Sequence, residues 1–239
     1  MTTPLLTHDG ELLTGTVTDR PNRFVVTVTF DNEPERVFLG DPGALNGIIE
    51  PGTPILCAPV DGDTRKTDYD AVAAAVDGTY ISLKTALAND LFAQALERNL
   101  LDNIPEYTTA VREPPLPTHG RTDFRLDGPN GEPKTYIEVK SCTHVNDGIA
   151  KFPDRQTKRG RRHLRSLKAI QESGVDCQIV FVIQRPDVKE FTPFRTVDPD
   201  FADLLAQLSE AGVRIRALTT EFDPPQYSLR EPNVEIRLG

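Results

Sequence analysis

The stretch "TYIEVKSC", residues 135–142, decides how the rest of the chain is read. It alternates as a β-strand, with Ile137 and Val139 on one face and Tyr136, Glu138 and Lys140 on the other. One apolar face is what any half-buried strand needs. The second face poses a choice, because it carries a carboxylate and an ammonium two positions apart, with Asp123 upstream in "GRTDFRL" (120–126). Either that face looks at water, or Asp123, Glu138 and Lys140 form a metal-dependent phosphodiester-cleaving constellation, or the remains of one.

The turn-rich "DGPNGEPK" (127–134) joins the two segments into a hairpin with a wide loop. Symmetric closure around Asn130 and Gly131 sets Asp123 opposite Glu138. A slip of two sets it beside Lys140 or Tyr136, still on the same face. Carboxylates facing each other across a ladder repel. That cost makes sense if a hard divalent cation, Mg²⁺ or Mn²⁺, sits between Asp123 and Glu138, with waters and substrate phosphate as its other ligands. Such an ion activates water and stabilises a leaving oxygen. Lys140 could then orient the attacking water or offset charge in the transition state.

Directly after the hairpin comes "KFPDRQTKRGRRHLRSLK" (151–168), which concentrates Lys158, Arg159, Arg161, Arg162, His163, Arg165 and Lys168. A basic helix beside paired carboxylates suits a phosphate backbone. The plain alternative is a solvated helix face. His163 reads as a phosphate contact or as a cap on the apolar face, whereas His8, His119 and His144 read as incidental. Gln184, ending the apolar run "CQIVFVIQR" (177–185), could present its amide at the carboxyl edge of a strand, where α/β folds bind ligands. It could equally be the first solvated residue.

Around this centre the chain divides in two. Residues 1–78 offer short strands in "ELLTGTVTD" (11–19), "RFVVTVTF" (23–30), "ERVFLG" (35–40) and "TPILCAPV" (53–60), punctuated by Pro and Gly. They fit a small barrel, of which the five-stranded OB type is one candidate. Aromatics such as Phe24 or Phe38 could stack bases there, although aromatics at such positions usually fill a core. From residue 79 to 239 the pattern is α/β. "SLKTALANDLFAQALERNLL" (82–101) and "TKRGRRHLRSLKAIQESG" (157–174) read as helices, the second with Leu164, Leu167 and Ile170 inward. "DPDFADLLAQLSEAG" (198–212) is a third, with Asp198 as N-cap and Pro199 at its first position. "CQIVFVIQR" reads as a doubly buried strand and "VRIRALTTEF" (213–222) as the closing one.

Composition narrows the function. The 239 residues carry a net charge of −9, with 8 Lys against 19 Arg, and 38% are hydrophobic. An Asp-rich, Lys-poor surface suits a high-salt cytoplasm, and an acidic protein needs a local basic patch to hold nucleic acid. Cys57, Cys142 and Cys177 show no CxxC spacing, which argues against zinc or a disulfide framework. No basic leader and no membrane-length apolar run is present, so a cytoplasmic protein without membrane contact is expected.

The run from Asp123 to Leu167, followed by "IVFVIQRPD" (179–187), closely resembles the sugar fermentation stimulation protein A (SfsA) family. The pattern is D-F, then Y-[VI]-E-V-K, V-x-D-G-x-A-x-F-P-D, T-x-R-G-x-x-H-L and [VI]-Q-R. Asp123, Phe124, Glu138, Lys140, Asp147, Asp154, Arg159, His163, Gln184 and Arg185 all match it. The resemblance implies an OB-like N-terminal domain and a C-terminal domain like the PD-(D/E)xK nucleases. It implies Asp123, Glu138 and Lys140 as metal-site residues. It also implies DNA binding, with RNA open, and a regulatory role in sugar metabolism. Two departures stand out. The family's C-P-N-T-G-like turn reads "FLGDPGALNG" (38–47) here, and where the family's helix often carries a further acid this chain has Gln94, with Glu97 a turn later. Three classes follow: a binding protein without turnover, an active nuclease, or an OB-domain partner whose basic helix docks an acidic protein.

Overall fold

The computed structural model of the protein describes residues 2–62, 65–117 and 120–239. β1 (Thr3–Thr7) comes first. Five strands then form a barrel: β2 (Leu13–Asn22), β3 (Val25–Phe30), β4 (Glu33–Phe38), β5 (Pro54–Pro59) and β6 (Tyr69–Val76). β2, β3 and β4 make an antiparallel meander, while β5 pairs with β2 and β6 with β5. A parallel pairing of β4 with β6, Val37 to Tyr69 and Phe38 to Asp70, closes the ring in the OB manner. The alternation of β3 sends Val26 and Val28 into the barrel core with Val17, Val37 and Ile55. Phe24 and Phe38 are not core. Phe24 precedes β3 and Phe38 ends β4, so both reach past the filled interior, and they are 41% and 39% exposed.

The second unit contains α1 (Leu87–Glu97), β8 (Thr109–Arg112), β9 (Phe124–Asp127), β10 (Pro133–Cys142), β11 (Val145–Asn146) and β12 (Ile149–Phe152). It continues through α2 (Lys158–Glu172), β13 (Asp176–Ile183), β14 (Glu190–Pro193), α3 (Pro199–Glu210), β15 (Arg214–Asp223), β16 (Gln226–Glu231) and β17 (Glu235–Ile236). Its main sheet runs β1-β16-β15-β13-β10-β9-β8, with β10, β13 and β15 parallel at the centre. Alternation splits the sheet's side chains between two cores. Ile137, Val139, Val180 and Val182 meet Leu91, Phe92 and Leu96 of α1, and barrel residues Leu56 and Val72 join the same cluster. Tyr136, Ile179, Phe181 and Ile183 meet Leu164 and Leu167 of α2 and Phe201 and Leu205 of α3. α1 is therefore clamped between the sheet and the barrel, and the two units share a core.

Helix ends follow the sequence. Thr157 caps α2 by accepting the Gly160 N–H at 2.9 Å, and Asp198 caps α3 by accepting the Phe201 N–H at 3.0 Å. Two expectations are corrected and two features are added. The strand at 214–223 does not close the sheet, because β16 and then β1 extend it, so residues 3–7 pair with the C-terminal sheet rather than the barrel. The expected division at 78/79 also cuts off β7 (Thr79–Ser82), which pairs with β6, and Leu83, which fills the barrel core rather than lying on α1. β10 is buried through both faces from Thr135 to Val139, because α2 covers the side that alternation alone left facing water. The small sheet β11-β12-β14-β17 adds to the expected elements, its strands being too short to show a period in the sequence.

Candidate metal and nucleic-acid site

The hairpin register is the symmetric one at its inner end. Leu126 faces Thr135, Arg125 faces Tyr136 and Phe124 faces Ile137, so the next step brings Asp123 level with Glu138. A bulge between Pro133 and Thr135 absorbs the offset near the turn. Asp123 lies just before β9 and is half-buried; Glu138, mid-strand, is only 2% exposed.

Each carboxylate is held. Asp123 Oδ2 accepts the Val139 N–H at 2.7 Å and Oδ1 accepts Asn89 Nδ2 at 3.0 Å. Glu138 Oε1 bonds both Lys140 Nζ and His163 Nδ1, while Oε2 accepts the Thr122 hydroxyl at 3.0 Å. Burial alone would push Glu138 up. The ammonium of Lys140 and the bond from His163 more than offset this and hold its carboxyl at about 2. Asp123 goes the other way, raised first by burial and then by the charge of Glu138.

These two acids fit a hard divalent cation. Both offer oxygen, and the charge of Glu138, which adds to burial in raising Asp123, is what a cation relieves. Among the described residues no group of three His, Cys, Asp or Glu side chains could enclose a metal alone. Water and phosphate oxygens would complete the shell, which is the usual Mg²⁺ arrangement.

Of the basic residues, the structure brings His163 to the carboxylates and commits Arg161 elsewhere. Arg161 pairs with buried Asp198 at 2.7 Å and with Asp200 at 3.4 Å, locking α2 to α3. Lys158, Arg159, Arg162 and Arg165 are exposed, and Lys168 pairs with Glu172 at 3.1 Å. Arg159 Nε lies 3.5 Å from His163 Nε2. Gln184 is not a solvated strand end: it is buried, its Nε2 donating to Ser141 Oγ at 2.7 Å and to the Lys84 carbonyl at 3.1 Å. Its Oε1 has no partner.

Sequence reasoning looked at Gln94 for the helix's contribution and missed the residue that makes it. Gln94 bonds Glu97 and Arg98, whereas Asn89 reaches Asp123. The available signal was a polar residue on the stripe shared by Phe92 and Leu96, and Phe92 packs edge-on against Phe124 at 5.2 Å. His144 stacks on Phe194 at 4.8 Å; His119 lies outside the described residues. The three cysteines are buried, each thiol pushed up to about 12 by burial. Among the described residues no helix is long and apolar enough to cross a membrane.

An OB barrel packed on a mixed sheet with helices on both faces, its acidic hairpin beside a basic helix, defines a restriction-endonuclease-like protein with an OB module. The family model described as "Sugar fermentation stimulation protein RE domain" matches residues 86–226, and that described as "SfsA N-terminal OB domain" matches 18–83. The chain belongs to the SfsA family. It is 41% identical over 225 residues to the sugar fermentation stimulation protein homolog of Moorella thermoacetica, covering 93% of this chain and 96% of that one. It is 38% identical to the homolog of Chloroflexus aurantiacus, covering 94% and 85%. The solved structure of Pyrococcus furiosus SfsA in complex with Ca²⁺ matches with a TM-score of 0.87 and 28% identity, over 98% of this chain and 99% of that one.

Proposed function

We propose that the chain is a DNA-binding protein, RNA being the second substrate class, with a nuclease-type divalent-metal site. The observation that carries this is the joining of acidic hairpin and basic helix: His163 of α2 bonds the same Glu138 oxygen as Lys140. Asp123 and Glu138 would hold Mg²⁺ or Mn²⁺; the Ca²⁺ complex of the Pyrococcus furiosus relative supports a divalent cation in a protein of this fold. The bound ion would supply Lewis acidity toward a phosphodiester. Thr122 orients Glu138, Asn89 and the Val139 N–H orient Asp123, and Lys140 offsets charge at the carboxylates. The exposed cations of α2 would track the backbone phosphates. The relatives are named for stimulating sugar fermentation, and a regulatory role through DNA is our extension of that name to this chain.

The second reading is an active nuclease, favoured by the intact Asp123, Glu138 and Lys140 set. Gel assays of plasmid, linear and single-stranded DNA with Mg²⁺ or Mn²⁺, comparing the parent with Glu138→Gln, separate the two. Mobility shifts without cleavage support the binding protein; cleavage by the parent alone supports the nuclease. Neither shift nor cleavage at any salt sinks both.

A further inference from the structure

We propose that the cleft between the barrel and the nuclease-like domain takes a single-stranded stretch of nucleic acid, with one unpaired base lying on Phe24. This rests on the nucleic-acid-binding reading above and adds which form of nucleic acid the protein selects.

The cleft has a volume of about 620 Å³, with Arg23 and Phe24 on the barrel wall and Lys151, Arg155 and Arg159 on the other. That is the size of a small-ligand pocket, with room for one or two nucleotides inside it. Phe24 and Phe38 are the two exposed large apolar side chains among the described residues. Both flank the second and third barrel strands, the face on which OB barrels bind oligonucleotides. Phe24 is also held in place. Its N–H donates to Asn22 Oδ1 at 2.8 Å and its carbonyl accepts the Leu39 N–H at 2.9 Å. The Arg23 guanidinium sits 4.6 Å from the ring centroid, a cation ready for the adjoining phosphate.

Charge favours the same ligand. In a chain of net charge −9, this cleft gathers four cations against two acids. Both acids are already engaged: Asp154 accepts the Ala44 N–H at 2.7 Å and Asp41 the Gly43 N–H at 2.8 Å. The cleft also leads somewhere, because Arg159 on its wall adjoins His163, whose other ring nitrogen bonds Glu138. A strand laid along it would run from an aromatic platform toward the paired carboxylates. Bases within a duplex are closed inside the stack, so an aromatic platform selects unpaired ones.

The test is fluorescence anisotropy with labelled oligodeoxyuridylate, oligouridylate and a blunt duplex of equal length, using the parent, Phe24→Ala and Phe24→Tyr. Stacking of one base predicts that Phe24→Ala weakens single-strand binding by about 5- to 150-fold. Duplex binding should be unaltered, and Phe24→Tyr should restore the parent affinity. The deoxy and ribo arms tell which sugar the cleft prefers. A parent that binds duplex as well as single strand, or a single-strand affinity that Phe24→Ala leaves unchanged, overturns the inference while the DNA-binding reading stands. A parent that binds neither overturns both.

Discussion

His163 Nδ1 bonds Glu138 Oε1, tying the first turns of the basic helix α2 to the centre of strand β10. Alternation explains the meeting. Tyr136, Glu138 and Lys140 point to the side of the sheet that α2 covers, and Leu164 and Leu167 draw the helix onto that side. The apolar packing of α2 thus fixes the distance between the acids and the cations of the site.

Glu138→Ala should cost stability as well as metal binding. The substitution leaves Lys140 and His163 without their shared, nearly buried partner. Breaking such a pair is worth about 3 kcal/mol. Urea melts at neutral pH should show the loss, and Glu138→Gln, which keeps the shape and one acceptor oxygen but not the charge, should recover only part of it. Equal melts for parent and Glu138→Ala would mean that the pair contributes nothing to the fold.

Asp41 provides a pH signature. Burial, opposed by the Gly43 N–H bond and reinforced by Asp154, raises its carboxyl from 3.8 to about 6. An acid that holds its proton more tightly in the fold lowers stability once the pH exceeds its folded value. The penalty is full above about pH 6, fades as the pH falls toward 3.8 and is absent below it. Asp41→Asn should therefore stabilise the protein by up to about 3 kcal/mol at neutral pH. The gain should vanish near pH 4. A pH-independent gain would assign the effect to something other than this ionisation.

Two arginines one residue apart should behave differently. Arg161 is bonded to fully buried Asp198, so Arg161→Ala should cost about 2 kcal/mol of stability, read by thermal melts. Arg162 is exposed, and Arg162→Glu should leave the melt unchanged. It should instead weaken DNA binding to all sequences alike and flatten the salt dependence by about one unit of slope for each phosphate no longer neutralised. An unaltered slope would move the phosphate track elsewhere.

Gly160 looks replaceable, since alanine is the better helix former. A Cβ there would sit 2.7 Å from Thr157 Cγ2 and 3.3 Å from Phe201. Gly160→Ala should destabilise by about 1–3 kcal/mol, because it pries α2 from its own cap and from α3. A neutral result would show that Thr157 re-orients freely.

The sequence was most informative where local chemistry and tertiary packing agree. The cap at Asp198 and the inward Leu164, Leu167 and Ile170 follow from short-range rules, and of the two hairpin registers the turn allowed, the symmetric one is found. β1 did not, since its partner β16 lies at the far end of the chain and pairing at that separation leaves no local trace. Asn89 was hidden for a related reason. Its partner Asp123 is 34 residues away, and only the packing of Phe92 on Phe124 brings the two together. Phe24 stays undecided in the sequence because alternation gives the face of a side chain but not whether it lies past the end of the barrel.

The most direct test of the account is the affinity for DNA at fixed ionic strength, with and without Mg²⁺, for the parent and Glu138→Gln. Mg²⁺ should tighten binding by the parent and leave the variant unmoved, both proteins being folded at the assay temperature. An equal response to Mg²⁺ in the two proteins would contradict a metal site at Asp123 and Glu138.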